Sequence, residues 1–412
     1  MIATWWMWAS LALGGQLDEL QTEAVRAHPG LEAMRAQVLA LETRAASGGV
    51  WPDPVVSIEV SNMPLQTLSL GHSLAGVEIR AQQELRPPGW SERRRDAIAR
   101  SGDVAEHELA DMALQLRANV RVAWWSLARA RQLTTLLDHH LELTTDLLES
   151  ARAHVEAGSA GQSASLRVEL YRERLRDERG DLRRDEREWR ALLVQALGMS
   201  SDIEIVTPTS VDMAVPPGKV EWTTLAARKR PAVAAAEARI VVEESRALVA
   251  HSDRVLDPTV WAGYRLRQPS DIDPQGSDMV SAGVALPIPT GSARAAGSQQ
   301  DAAMADADRR RSERDQLLQA IRAEGQGLLA GWQRAATKQY AYTHSLVPAA
   351  RTALQASRDD VAAGRAELAT VLEGAEVLLE LERALVEATI DTQLAAARAE
   401  ALVGVPVGRA GQ

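Results

Sequence analysis

The sequence predicts a mainly α fold with a small β part, built as a duplicated unit in which strand hairpins join long helical hairpins. Three observations carry this. Val155 to Gly198 recurs about 206 positions later as Val361 to Gly404, with Val155/Val361, Ala157/Ala363, Gly158/Gly364, Ala160/Ala366, Leu166/Leu372, Leu175/Leu381 and Gly198/Gly404 shared and no gap needed. The match keeps its order upstream: His28-Pro29 answers to Arg230-Pro231, Asp53-Pro54 to Asp257-Pro258 and Trp125 to Trp332. Finally, Ser91 to Val155 contains no proline and carries a narrow apolar seam at three- and four-residue steps, the signature of one very long helix.

Composition narrows the classes. The 412 residues hold 4% aromatics and no phenylalanine, which suits long helices better than a thick globular core. A net charge of -10, with arginines scattered among acids along helical runs, speaks against nucleic acid as a partner. There is no cysteine, hence no disulfide and no thiolate chemistry. Residues 1–15, MIATWWMWASLALGG, form an apolar run of signal-peptide length, with Ala12-Leu13-Gly14 in the small-x-small pattern that precedes cleavage but no basic start. An export signal is expected there, the alternative being a short apolar arm packed on the fold.

The first repeat is expected over 16–198. Leu17, Leu20, Val25, Leu31, Met34, Val38 and Leu41 give helical periodicity, Pro29 restarts the helix after a short break, and Gly48-Gly49 stops it. A strand hairpin follows over 54–86. Val56, Ile58 and Val60 alternate with Ser57, Glu59 and Ser61, then Val77, Ile79 and Ala81 alternate with Glu78, Arg80 and Gln82, so each strand has one apolar and one polar face. Pro87-Pro88-Gly89 closes it. The helical hairpin of 91–198 has its seam at Leu109, Met112, Leu116, Val120, Ala123, Leu127, Leu137, Leu141, Leu148 and Val155 and turns near Gly158. Its first helix would be on the order of 100 Å long.

A breaker-rich connector, 199–221, holds Pro208, Pro216 and Pro217. The second repeat, 222–404, runs in the same order: a helix over Pro231 to Ser252, a strand hairpin over 258–288, and a helical hairpin over 292–404 that Pro348 bends and Gly364 turns. Residues 405–412 are a short tail.

Four strands per chain cannot close into a barrel, and an open sheet with an apolar face exposes its edges, so oligomerisation is the natural remedy. Strands of roughly 9 to 11 residues with one apolar face suit an outer-membrane barrel. With the duplicated order of elements, the Pro52-Asp53-Pro54 and Asp257-Pro258 strand entries and the Ala-Gly tips at Gly158 and Gly364, nearly the whole chain resembles the TolC-like outer-membrane efflux proteins. The resemblance implies a homotrimer whose twelve strands form an outer-membrane β-barrel continuous with a periplasmic α-helical barrel. It implies a passive duct without cofactor, joined by a periplasmic adaptor (membrane fusion protein) to an inner-membrane pump of the RND type. The segment SNMPLQTLSLGHS followed by QQELRPPGWSERRR is most similar to the heavy-metal-efflux branch. On this resemblance the adaptor would dock at Ala157, Gly158, Ser159, Ala160, Gly161, Gln162, Ala363, Gly364, Arg365, Ala366 and Glu367, whose glycines are also plain turn residues. Glu78, Arg80, Arg265 and Arg267 are candidate lumen-lining residues. The chain departs from the family where several relatives carry an acid just after the tip glycine: Ala164 and Thr370 stand at those positions. Trp51, Trp90, Trp261 and Tyr264 flank or occupy the strands, either as membrane-interface aromatics or as packed turn residues.

The rival readings are weaker. Gly325 to Ala330 matches a dinucleotide fingerprint literally, but inside a helical run with no strand before it. Asp103, His107 and Asp111 share a helix face and the ligand types of a metal site, although a solvated face explains them better. His139 and His140, being adjacent, point in different directions. No HExxH, GxSxG or Walker loop is present, so an enzyme is not expected. The serious rival is a periplasmic coiled-coil adaptor or scaffold, which would normally carry one helical hairpin rather than two successive strand-plus-hairpin units. A metal-binding module or hydrolase is the distant third.

Overall fold

The computed structural model describes residues 16–66, 68–72, 74–158, 161–198, 204–255, 257–270 and 272–407. The expected export signal lies outside them. Residues 16–27 are helical (α1), followed by α2 (Pro29–Ser47), β1 (Val55–Ser61), β2 (Gly76–Glu84), α3 (Trp90–Glu156) and α4 (Gln162–Ala196). After the connector come α5 (Trp222–Lys229), α6 (Pro231–Ser252), β3 (Thr259–Leu266), β4 (Met279–Ala285), α7 (Ser292–Ala341), a π-helical turn (Tyr342–Leu346), α8 (Val347–Ala362) and α9 (Leu368–Val403). Pro29 and Pro231 both open their helices, where a missing N–H costs nothing. The 67 residues of α3 run unbroken. Pro348 has a consequence beyond a simple bend. Lacking a donor, it stands in the first turn of α8, and the helix before it widens so that Val347 N–H reaches Tyr342 C=O, five residues back.

The chain divides into two compact units, each drawing on both sequence repeats. One comprises residues up to 34, 108–233 and from 316 onward; the other comprises 35–107 and 234–315. The first is a helical bundle with three apolar clusters. Leu137, Leu148, Leu175, Leu354, Leu372 and Leu378 pack together from α3, α4, α8 and α9. A second cluster gathers Leu31, Leu116, Val120, Leu127, Leu193 and Ile390, and a third Trp222, Ile321, Trp332, Ala399 and Leu402. Helix α9 joins all three clusters because it is the most apolar of the long helices, and each fully buried Leu or Ile contributes roughly 1.5–3 kcal/mol. Trp332 is fully buried, and its indole N–H donates to Ala214 C=O at 2.8 Å, which satisfies the polar end of that side chain.

The duplication extends to backbone torsions. Gly158 and Gly364 both have φ of +70°, and the residues three further on, Gly161 and Glu367, are extended at φ -76°, ψ 152° and φ -81°, ψ 151°. The return helices also end alike, on positive-φ Gly198 and Gly404. A Cβ on Gly198 would sit 2.9 Å from Pro29 and 3.0 Å from the His28 Cα; one on Gly404 would sit 2.5 Å from Lys229 C=O and 3.1 Å from the Arg230 Cα. The paired X-Pro breaks of the sequence are therefore the surfaces against which the paired glycines close.

The second unit holds an antiparallel sheet in the order β1-β2-β3-β4, the β2–β3 pairing joining the two repeats. The strands have 7, 9, 8 and 7 residues; β2 reaches the lower end of the roughly 9 to 11 of the sequence expectation, and the other three fall short of it. Asn62 at φ +57° ends β1, and Pro258 stands just before β3 and Pro287 just after β4, outside the paired ladder that their missing N–H could not serve. Register sorts the side chains into two faces. Val56, Ala81, Ala262 and Ala282 form one row, and Ile58, Ile79, Tyr264 and Val280 the next, all on one face. The opposite face carries the rows Ser57, Arg80, Gly263, Ser281 and Glu59, Glu78, Arg265, Met279. The apolar face is bare: Ile58 is 72% and Val280 79% exposed. At the sheet's base Arg86 pairs with Asp257 at 2.6 Å and stacks on Trp90, whose indole donates to Asp253 at 3.2 Å.

Candidate functional site: helical tips and the polar sheet face

The two tips belong to the helical unit. At the first, Ala157 N–H and Gly158 N–H donate to Ala153 and Val155 carbonyls, each at 3.0 Å, and Ala164 N–H to Gly161 C=O at 3.0 Å as α4 begins. The second repeats this with Ala363 to Asp359 and Gly364 to Val361, each 3.0 Å, and Thr370 N–H to Glu367 C=O at 3.1 Å. A Cβ on Gly158 or Gly364 would touch nothing within 4 Å, so only the positive φ demands glycine there. The tips differ in charge. Arg365 donates its backbone N–H to Asp360 C=O at 2.8 Å and its guanidinium to the Asp360 carboxylate at 2.6 Å, fastening the second tip. Between the tips lies an open cleft of about 720 Å³, lined by His154, Arg167, Arg365 and Glu367 among small and apolar residues that include Gly161, Ala164, Gly364 and Ala366. Ala157, Gly158, Gly161, Gln162, Ala363, Gly364, Arg365, Ala366 and Glu367 are thus brought to adjoining loops and helix starts, while Ser159 and Ala160 lie outside the described residues. Ala164 packs against the apolar cluster beneath.

On the sheet's polar face three of the four lumen candidates meet. Glu78 is 4% exposed, accepting from Arg80 at 2.8 and 3.1 Å through one oxygen and from Arg265 at 2.8 Å through the other. The Arg80 guanidinium lies 4.6 Å from the Trp261 ring centre. Two strand glycines make the room: a Cβ on Gly263 would stand 2.6 Å from the Glu78 carboxylate, and one on Gly283 2.7 Å from the Trp261 ring. An isolated glycine inside a strand pattern signals such a close approach, and that signal could have located the site. Arg267 is placed differently, beyond the end of β3, with its backbone N–H donating to Asp278 at 3.1 Å and its guanidinium 3.4 Å from Asp273. Trp261 belongs to the polar face, Tyr264 to the apolar face with its hydroxyl donating to Asp278 at 2.5 Å, and Trp51 donates to Ser91 at 3.0 Å.

The sequence reading missed one buried polar cluster. His140 of α3 is 1% exposed, and its Nε2 donates to Glu382 of α9 at 3.0 Å. The other Glu382 oxygen accepts from Arg351 of α8 at 2.5 and 2.9 Å. Burial pushes the Glu382 carboxyl up, but the hydrogen bonds and charges of His140 and Arg351 outweigh it and hold the group below the ordinary carboxylate value. No local pattern reveals a pairing across 242 positions.

Asp103 pairs with Arg100 at 3.2 Å, and Asp111 accepts the Ala232 N–H at 3.2 Å in the first turn of α6. Among the described residues no group of three His, Asp or Glu side chains could hold a metal ion. Gly325 and Gly327 lie within α7, as helix rather than a phosphate loop. No described helix is long and apolar enough to cross a membrane.

The sequence matches no protein-family model and no curated protein. Solved structures do match. The outer-membrane channel OprN superposes with a TM-score of 0.78 at 16% identity, covering 95% of this chain and 90% of that one. CusC, studied for the conformational changes accompanying folding and transmembrane channel formation, gives 0.79 at 15% identity over 95% and 92%. The outer membrane protein VceC from Vibrio cholerae gives 0.76 at 16% identity over 95% and 97%. The fold is that of bacterial outer-membrane channels. More particularly, it is the fold of the TolC-like outer-membrane efflux proteins, over 95% of the chain.

Proposed function

We propose that the protein is the outer-membrane exit duct of a tripartite efflux system, conducting substrates passively from an inner-membrane pump of the RND type and a periplasmic adaptor to the exterior. The observation that carries this is the sheet: one bare apolar face, one polar face, and two open edges, on a chain whose fold is that of outer-membrane channels over 95% of its length. Three copies would supply twelve strands and close a barrel whose apolar face meets lipid, with Glu78, Arg80 and Arg265 lining the lumen. The tip residues around Gly158 and Gly364 would meet the adaptor, the cleft between them accepting an adaptor side chain. The mature protein should fractionate with outer membranes and run as a heat-modifiable trimer in detergent; a soluble periplasmic monomer would sink the reading and favour an adaptor or scaffold.

Heavy-metal cations are the proposed cargo, on the strength of the segment from Ser61 to Arg95 and its Pro87-Pro88-Gly89 turn. Genes for a metal pump and adaptor beside this one would support that. A deletion strain with unchanged metal tolerance and altered drug tolerance would count against it.

A further inference from the structure

The loops that join the strands lie at the end of the sheet remote from the helices, since β1 follows α2 and β2 leads into α3, with the same order around β3 and β4. The two loops have diverged. Residues 267–278 carry Arg267, Asp271, Asp273 and Asp278, and two of these carboxylates pin the loop: Asp273 accepts the Ser277 N–H at 2.8 Å and Asp278 the Arg267 N–H at 3.1 Å. Residues 62–75 contain no Asp, Glu, Lys or Arg, in a chain of which 25% is charged, yet they hold Met63, Leu65, Leu68, Leu70 and Leu74. Leu65 is 93%, Leu68 68% and Leu74 65% exposed. Such a cluster marks a contact surface rather than a solvated loop.

Strand length says what it contacts. The 7 residues of β1 rise roughly 23 Å along the strand, and only about 18 Å along a barrel axis at a tilt of about 40°, against an outward apolar band of about 25 Å. Asp53, just before β1, bars an apolar extension at the helix end, so the height missing on this strand lies at the loop end. β4 is the reverse: Asp278 adjoins it at the loop end, and the exposed Leu286 and Ile288 continue the alternation of Val280, Ala282 and Val284 at the helix end. A loop backbone cannot itself enter hydrocarbon unless all its polar groups are paired. In this loop Leu68 N–H donates to Pro64 C=O and Ala75 N–H to His72 C=O, both at 2.9 Å, and the remaining groups need the headgroup layer. We propose that residues 62–75 form a lipid anchor, lying along the rim of the barrel with the side chains of Leu65, Leu68 and Leu74 dipped into the acyl-chain boundary, while residues 267–278 stay in water. This rests on the reading of the sheet as part of an outer-membrane barrel. Packing of the same leucines against one another across the barrel mouth would also take them out of water, but would leave β1 short of the band.

The chain lacks cysteine, so single-cysteine variants of the full-length protein each take one environment-sensitive fluorophore. L65C, L68C, I272C and A282C would be labelled and reconstituted into phosphatidylcholine vesicles with plain or brominated acyl chains, where bromine quenches only a label it meets. A282C, on the apolar face, should lose most of its emission to bromines deep in the chains. L65C and L68C should lose most of theirs to bromines near the headgroups, and I272C should keep its emission in both. V284C, on the same face as A282C, serves in its place should that variant fail to fold. Quenching of A282C with L65C and L68C unquenched overturns the anchor and leaves the barrel standing. Disulfide formation between copies of unlabelled L65C, with its label unquenched, overturns it in favour of leucines packed across the mouth. Quenching of I272C as strong as that of L65C overturns the division of roles between the loops. If A282C and V284C both escape the bromines, the barrel reading itself fails and the anchor falls with it.

Discussion

Gly158 and Gly404 share a positive φ but not their surroundings, and the difference sets their cost of substitution. At Gly158 a Cβ meets open space, so Gly158→Ala should lose only the left-handed penalty, about 1 kcal/mol. At Gly404 the same Cβ would stand 2.5 Å from a backbone carbonyl that cannot swing aside, so Gly404→Ala should cost at least about twice as much. Thermal melts of the two variants beside the parent would order them; equal shifts would contradict the packing argument. Glu382 gives a pH prediction with a definite sign. Its carboxyl is depressed in the fold, so its stabilisation is fully present above the unfolded carboxylate value and is lost as pH falls through the lower folded one. Glu382→Gln should therefore melt below the parent at neutral and mildly acidic pH, the gap closing only below the ordinary carboxylate range; a gap that closed by about pH 6 would refute this. The glycine turns were legible because only glycine takes such torsions freely. The pairing of His140 with Glu382 was not, because a burial created by chain segments far apart in sequence leaves no local trace.

The four strands were legible as elements because a period of two survives any context in which one face is apolar. Their ends were less so, since Asn62 in the left-handed region stops β1 without a proline to announce it. The lumen assignment of Arg267 shows the same limit: parity placed it on the polar face, while the chain had already left the sheet and turned toward Asp273 and Asp278. Pro348 was readable as a disturbance, its form as a π turn was not. The faces make a directional prediction. Val280→Arg would put a charge on the bare apolar face and should cost about 2–4 kcal/mol if that face meets the bilayer centre, reducing the amount assembled in outer membranes. Ser57→Arg, one strand over on the polar face beside Arg80, should leave assembly nearly unchanged. Equal assembly of the two would remove the lipid-facing assignment. Glu78→Gln tests the other face: with Arg80 and Arg265 left uncompensated, reversal potentials in planar bilayers should shift toward anions, and an unaltered selectivity would take these residues out of the lumen.

For the whole molecule the decisive feature is the pair of unpaired edges. β1 and β4 each bond to one neighbour only, and both are free of proline and, apart from Glu59 on β1, of charge, the devices that blunt an exposed edge. Such edges are satisfied by each other, and a ring closes when β1 of one copy pairs with β4 of the next. Because the chain has no cysteine, this can be read by oxidation. Ile58→Cys on β1 combined in turn with Cys at Val280, Ala282 or Val284 on β4 scans the possible registers on the apolar face. At least one combination should yield disulfide-linked dimers and trimers on denaturing gels, with each single variant yielding none. The successful partner also fixes the stagger between copies, which determines the tilt of the strands and so the width of the barrel. If no combination links copies in isolated outer membranes, the edges are not joined in this way, and the twelve-stranded barrel falls with them.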